Sequence, residues 1–226
     1  MSSHSTAKVE VDKSQFLERN VSHHFVDADQ EFDSCKMGMW LFLLTEILLF
    51  GGLFVAYVIF RTWHPETWEA GAEHLDWTKG AINTAILIAS SVTMALAIRQ
   101  AQLNDKKGTV ILLLSTLLLA SGFLVVKYFE YTHKFHLGIF PGGDNYIFAG
   151  KHLSNEFIYF SIYYMMTGLH VLHVIFGMCG IIWVTLRAAK GEFYSAYYTP
   201  VEMVGLYWHL VDLIWIFLFP LLYLTK

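Results

Sequence analysis

Charge is scarce in this chain. Only 15% of its 226 residues are Asp, Glu, Lys or Arg, against 55% apolar residues, and a soluble domain of this length normally carries more charge. Cysteine is nearly missing. Cys35 and Cys179 offer no disulfide framework, and Cys179, set in an apolar run, reads as a small filler. The first 35 residues are polar and mixed in charge. They lack the apolar core of a cleavable signal peptide, so the first apolar helix reads as an uncleaved insertion signal. A basic excess is also lacking, and a net charge of −4 gives no footing for a nucleic-acid partner. There is no internal repeat and no low-complexity segment.

What the chain does have is five long apolar windows. Residues 38–60 contain one charge, Glu46; 81–98, 109–126 and 157–186 contain none; 203–224 contain one, Asp212. Each reaches the roughly 18–20 residues that a helix needs to cross the hydrocarbon core. Buried helices of a soluble protein would be shorter, and five in succession would be exceptional. The sequence therefore predicts an all-α, polytopic membrane protein: a polar tail over 1–35, then a five-helix membrane domain over 36–226. The helices are expected at about 36–62, 79–99, 109–130, 155–186 and 201–224. Lys and Arg set orientation. Nine lie on the side of the N-terminus (Lys8, Lys13, Arg19, Lys36, Arg99, Lys106, Lys107, Arg187, Lys190) and six on the other (Arg61, Lys79, Lys127, Lys134, Lys151, Lys226). The bias favours a cytoplasmic N-terminus and a C-terminus outside. The acidic, Trp-bearing stretch WHPETWEAGAEHLDW suits an outer interface.

The second helix carries Ala81, Ala85, Ala89, Thr93 and Ala97 at every fourth position, a stripe that would let a neighbouring helix approach closely. Asn83, Ser90 and Ser91 can hydrogen-bond across helices. The stretch 131–154 reads as a long outer loop with a Pro-Gly-Gly turn, able to face a partner subunit. His133 and His136 in it, like His152, read as hydrogen-bonding or contact residues, and His4, His23 and His24 as solvated.

The ionisable groups within the windows fall in one slab. At 1.5 Å per residue, Glu46 lies ten residues from the inner end of the first helix. His209 and Asp212 lie eight and eleven residues into the fifth, and His173 and His170 thirteen and sixteen from the inner end of the fourth. Such groups are expensive in lipid and normally turn inward, paired. Residues three apart share a helix side, so His170 is expected beside His173, and His209 beside Asp212 or a neighbouring helix. Glu46 is expected to meet a histidine of the fourth or fifth helix. Three readings follow: a structural hydrogen-bonded network, a proton-handling carboxylate at Glu46, or a metal or haem site built from these five residues. The bundle di-iron pattern needs Glu-x-x-His on two helices plus two more carboxylates, and HVLH lacks the glutamate.

The residues also carry a family resemblance. YWHLVDLIWIFLF (207–219), with Trp208 and Trp215 and with Glu202 upstream, resembles the signature of subunit III of haem–copper terminal oxidases. TGLHVLHVIFG (167–177), LTEILLFGGLFVAY (44–57) and INTAILIASSVTMALA (82–97) are similar to further stretches of that family in the same order, and Glu130-Tyr131 match the Glu-Tyr that ends the third helix here. Glu46 falls on the family's membrane carboxylate. Three features depart from the pattern. Longer members have seven helices, and this chain lacks the first two, which form one wall of a lipid-holding cleft. Val171 replaces a common glycine. Lys127 stands where Gln is frequent, and near the outer interface it is expected to snorkel.

The resemblance implies a non-catalytic role. The haems and copper would sit in subunit I and electrons would be taken in by subunit II. This chain would bind no redox cofactor. It would pack on subunit I among membrane lipids, stabilise it and help to supply protons, in a bacterial inner membrane and in reach of a larger respiratory assembly. Subunit III of a quinol oxidase, or a related protein accompanying a nitric oxide reductase, are the alternatives.

Overall fold

The computed structural model describes residues 25–73, 75–140, 156–195 and 197–224. Most of the polar tail and the Pro-Gly-Gly stretch with His152 lie outside them. The described residues form α1 (Ala28–Trp63), α2 (Pro65–Glu73), α3 (Trp77–Gln102), α4 (Lys106–His136), α5 (Glu156–Lys190) and α6 (Thr199–Phe219), which a π-type turn extends over Pro220–Leu224. Five of them, all but α2, are long and apolar enough to cross a membrane.

Helix ends follow local chemistry and overrun the apolar windows. Asp27 caps α1, its side chain accepting from the Gln30 amide at 2.7 Å, so the helix begins at Ala28 rather than near residue 36. Asp76 caps α3 and Asp105 caps α4 in the same way. Helix α4 continues to His136. His133 and His136 therefore sit in its last turn, where cationic or donor side chains suit the helix end, and not in a loop. Between α3 and α4 the chain reverses through Asn104, whose φ of 61° is left-handed. The Asn104 side chain accepts from the Ser195 amide at 2.6 Å and so ties the α3–α4 and α5–α6 connections together.

The buried side of α3 is Gly80, Asn83, Leu87, Ser90, Met94, Ala97 and Ala101. That of α4 is Thr109, Leu113, Thr116, Ala120, Phe123, Lys127, Glu130 and Lys134. Both advance by alternating steps of three and four, the period of near-parallel helix packing. The strict four-residue alanine stripe drifts off that side: Ala85 and Ala89 are exposed and only Ala97 is buried. Cys179 is exposed too and fills no gap.

Helix α6 is the most buried of the five and packs on α3, α5 and α1; α1 is the least buried and packs chiefly on α5 and α6 among the spanning helices. The fully buried side chains of α1 recur every seventh residue, at Leu43, Phe50 and Tyr57. Three polar contacts hold it: Lys36 to Glu202 at 3.1 Å, Glu46 to His173 at 2.8 Å, and the Tyr57 hydroxyl to the Leu221 carbonyl. Short α2 seats Trp68 edge-on between Tyr57 and Tyr159.

Where α5 meets α6, Gly177 lies against Trp208. A Cβ there would fall 2.7 Å from the indole edge, and Trp208 is fully buried. Gly177→Val should cost about 1–3 kcal/mol through overpacking, read as a lower thermal midpoint of the purified protein. An unchanged midpoint would mean that the two helices do not touch there.

Candidate functional site

The slab of ionisable groups resolves into separate places. Glu46 on α1 meets His173 on α5, Oε2 to Nε2 at 2.8 Å. The other ring nitrogen, Nδ1, lies 2.7 Å from the Leu169 carbonyl one turn back. A carbonyl only accepts, so Nδ1 carries a proton and donates. The Nε2–Oε2 contact is a hydrogen bond only if one further proton sits on the imidazole or on the carboxyl. Phe50 presses edge-on against the imidazole at 5.1 Å, and the Tyr207 hydroxyl donates to the His173 carbonyl at 3.2 Å. A cleft of about 460 Å³, bordered by Phe42, Glu46, His173, Phe176 and Tyr207, opens beside the pair. Glu46 and His173 are partly exposed, so the pair is reachable from outside the bundle.

The other three groups face elsewhere. His209 places Nδ1 at 2.7 Å from the Ser91 hydroxyl of α3. Asp212 is buried with no hydrogen-bond partner on either oxygen. The Ser90 and Ser91 hydroxyls flank it; Ser90 donates to the Leu87 carbonyl, and Ser91 lies beside His209 Nδ1. His170 is wholly enclosed, its ring 5.1 Å from Trp215 and 5.6 Å from Phe123. The expected pairs His170–His173 and His209–Asp212 therefore do not form. Three helical residues turn the chain by about 300°, leaving the side chains about 60° apart. That difference sends His173 to α1 and His170 to the core. Of the expected contacts, Glu46 with a histidine of the fourth helix and His209 with a neighbouring helix are the ones present. Among the described residues no three His, Cys, Asp or Glu side chains converge as metal ligands.

A charge cluster at the outer end went unread in the sequence. Lys127 does not snorkel; it is buried, with Nζ at 3.0 Å from Glu130 Oε2 and 2.7 Å from the Tyr223 hydroxyl, and 4.5 Å above the Trp215 ring. Lys134 donates to Glu130 Oε1 at 2.9 Å and to the Tyr163 hydroxyl at 2.7 Å. Tyr163 and Tyr223 both donate to the same carboxylate oxygen, at 2.8 and 2.5 Å. One carboxylate thus gathers two ammonium groups and two phenols from three elements. The signal was present as Lys-x-x-Glu-x-x-x-Lys, one side of a helix, but an expected helix end near residue 130 had put Lys134 in a loop. Next to Glu130, the Tyr131 hydroxyl lies 2.6 Å from that of Thr167. The remaining motif residues are placed as follows: Glu202 binds Lys36, Trp208 donates to Ser90 at 3.2 Å, and Trp215 donates to Thr84 at 3.1 Å.

Residues 20–225 match the model of the family described as cytochrome c oxidase subunit III. The chain belongs to that family. Among curated relatives, cytochrome c oxidase subunit 3 of Thermostichus vulcanus is 34% identical over 200 residues, covering 87% of this chain and 90% of the relative. The Synechocystis subunit 3 is 36% identical over 193 residues, covering 85% and 76%. A protein of Aeropyrum pernix named heme-copper oxidase subunit I+III is 33% identical over 200 residues; the match covers 85% of this chain but only 23% of that longer protein.

Within this subunit III fold, Glu130 carries the outer cluster. Glu130→Gln strands two buried ammonium groups and should cost about 3–5 kcal/mol. Lys127→Gln, which leaves one matched pair, should cost much less. Thermal midpoints of the two variants check the order, and equal losses would deny Glu130 its central place.

Proposed function

We propose that this chain is the non-catalytic subunit III of a proton-pumping haem–copper terminal oxidase, which reduces O2 to water in aerobic respiration. The subunit III family match carries the reading. In it, haem and copper belong to partner subunits, subunit I holds the reaction centre, and this chain packs against it in a bacterial plasma membrane with its N-terminus in the cytoplasm. The Aeropyrum pernix relative supports the pairing, since its name joins subunits I and III in one polypeptide. The curated relatives named cytochrome c oxidase subunit 3 favour that assignment over a quinol oxidase or nitric oxide reductase accessory. The orientation gains support from α4. Lys127 and Lys134 turn into the bundle, leaving Arg61, Lys79, Lys151 and Lys226 as the outer basic residues against nine inside.

In this role the Glu46–His173 pair is a proton-holding group beside the bundle. Its position on the cleft, with one exchangeable proton and partial exposure, fits delivery of protons toward an uptake path in subunit I. Helices α1, α5 and α6, which frame the cleft, also fit a structural part in steadying subunit I.

Mild-detergent purification of the chain from its native membrane tests the assignment. Haem absorption with subunits I and II co-purifying is the expected result; a colourless, partner-free protein would overturn it. For the pair itself, Glu46→Gln should leave assembly intact while proton uptake slows or inactivation during turnover quickens. Unchanged kinetics in the assembled variant would reduce Glu46 to a structural residue.

A further inference from the structure

Among the described residues, three buried side chains of the spanning helices have no partner on any side-chain polar atom: Asn83 on α3, His170 on α5 and Asp212 on α6. They are 0%, 0% and 3% exposed. Two cross-helix bonds fix their levels. Trp215 reaches Thr84 and Trp208 reaches Ser90, so α3 and α6 run antiparallel. Asp212 lies between those two contacts. His170 lies against Trp215, and Asn83 precedes Thr84 in the chain. All three therefore fall within the stretch of α3 from residue 83 to residue 90, about 10 Å of helix. Above this stretch stands the Lys127–Glu130 cluster, whose Lys127 also overlies Trp215. Below it stand His209 with Ser91 and the Thr93–Thr116 hydroxyl pair at 2.8 Å.

Six unpaired polar atoms in one short stretch of core would each go without compensation for lost hydration if they stayed dry. Native interiors answer such a need with bound water, which makes two to four hydrogen bonds per molecule. Asp212 adds a stricter demand. Among the described residues no cation is placed to meet it. On α3 it faces the Ser90 and Ser91 hydroxyls, and its own helix offers His209, held by Ser91. On α5 the nearby group is His170, and on α1 Glu46 is held by His173. The core lysine of α4, Lys127, is held by Glu130 and Tyr223. A bare carboxylate there would lack the partners that a buried charge requires, whereas a neutral acid can donate one hydrogen bond and accept others.

We propose that the α3–α5–α6 core is a hydrated proton-binding site, in which bound waters link Asn83, His170 and Asp212 and the Asp212 carboxyl holds the proton. The site is distinct from the Glu46–His173 pair, which opens on the cleft outside the bundle, and it stands on packing alone, independent of the oxidase assignment. Its place between two other polar groups makes it the middle of a line running from Glu130 toward Thr116.

Infrared spectroscopy on the intact, purified complex that contains this chain tests the site at neutral pH. Wild type should show a carbonyl band of a protonated carboxylic acid that is lost in Asp212→Asn, kept in Glu46→Gln, and shifted on transfer to D2O. Absence of any band lost in Asp212→Asn would mean an ionised carboxylate and would overturn the proposal. A band that stays unshifted in D2O would mean a sealed, dry acid and would overturn the hydration. Ser90→Ala keeps the carboxyl and removes a flanking hydroxyl, so it serves if Asp212→Asn fails to assemble. It should move the same band, and no movement of any carboxylic band would count against the site.

Discussion

A polar atom surrounded by hydrocarbon must find its partner inside the protein or hold a water there, because lipid offers none. Much of this bundle follows from that constraint. Apolar contact alone gives helices little reason to prefer one another over lipid tails, so the polar side chains decide which helices touch and at what height. Glu130 draws in Lys127, Lys134, Tyr163 and Tyr223 and so gathers α4, α5 and the turn after α6. Ser90 accepts from Trp208, Ser91 meets His209, and the two contacts set α6 against α3.

The two ends of this logic serve different purposes. The outer cluster is enclosed and saturated with hydrogen bonds, which suits a fixed joint. The Glu46–His173 pair is partly exposed on the cleft beside the bundle. The core groups between them are enclosed but not saturated. Burial and satisfaction thus vary independently across one bundle.

The five crossings were legible because length and apolarity suffice to define them. The family was legible because ordered motifs such as YWHLVDLIWIFLF survive in the sequence. Glu46 with a histidine was legible from depth alone. What failed needed direction rather than depth. His209 and Asp212 share a height and a helix side, yet a modest angular difference gives them different neighbours. The alanine stripe on α3 has the right residues at a period that drifts away from the packed side. Lys127 looked like an interfacial lysine because one partner, Tyr223, becomes visible only once the turn after α6 is folded back on α4.

Helix α1 gains a property from where its polar contacts fall. Lys36, Glu46 and Tyr57 bind α6 and α5 near the inner end, at mid-depth and near the outer end. They are spaced ten and eleven residues apart, about 15 Å each. Between them the helix meets its neighbours through few side chains. Such an arrangement works like three teeth on a rack. Sliding by a single turn, 5.4 Å, would disengage all three at once, so the three contacts together specify one register. The middle tooth, Glu46 with His173, is the one that borders the cleft.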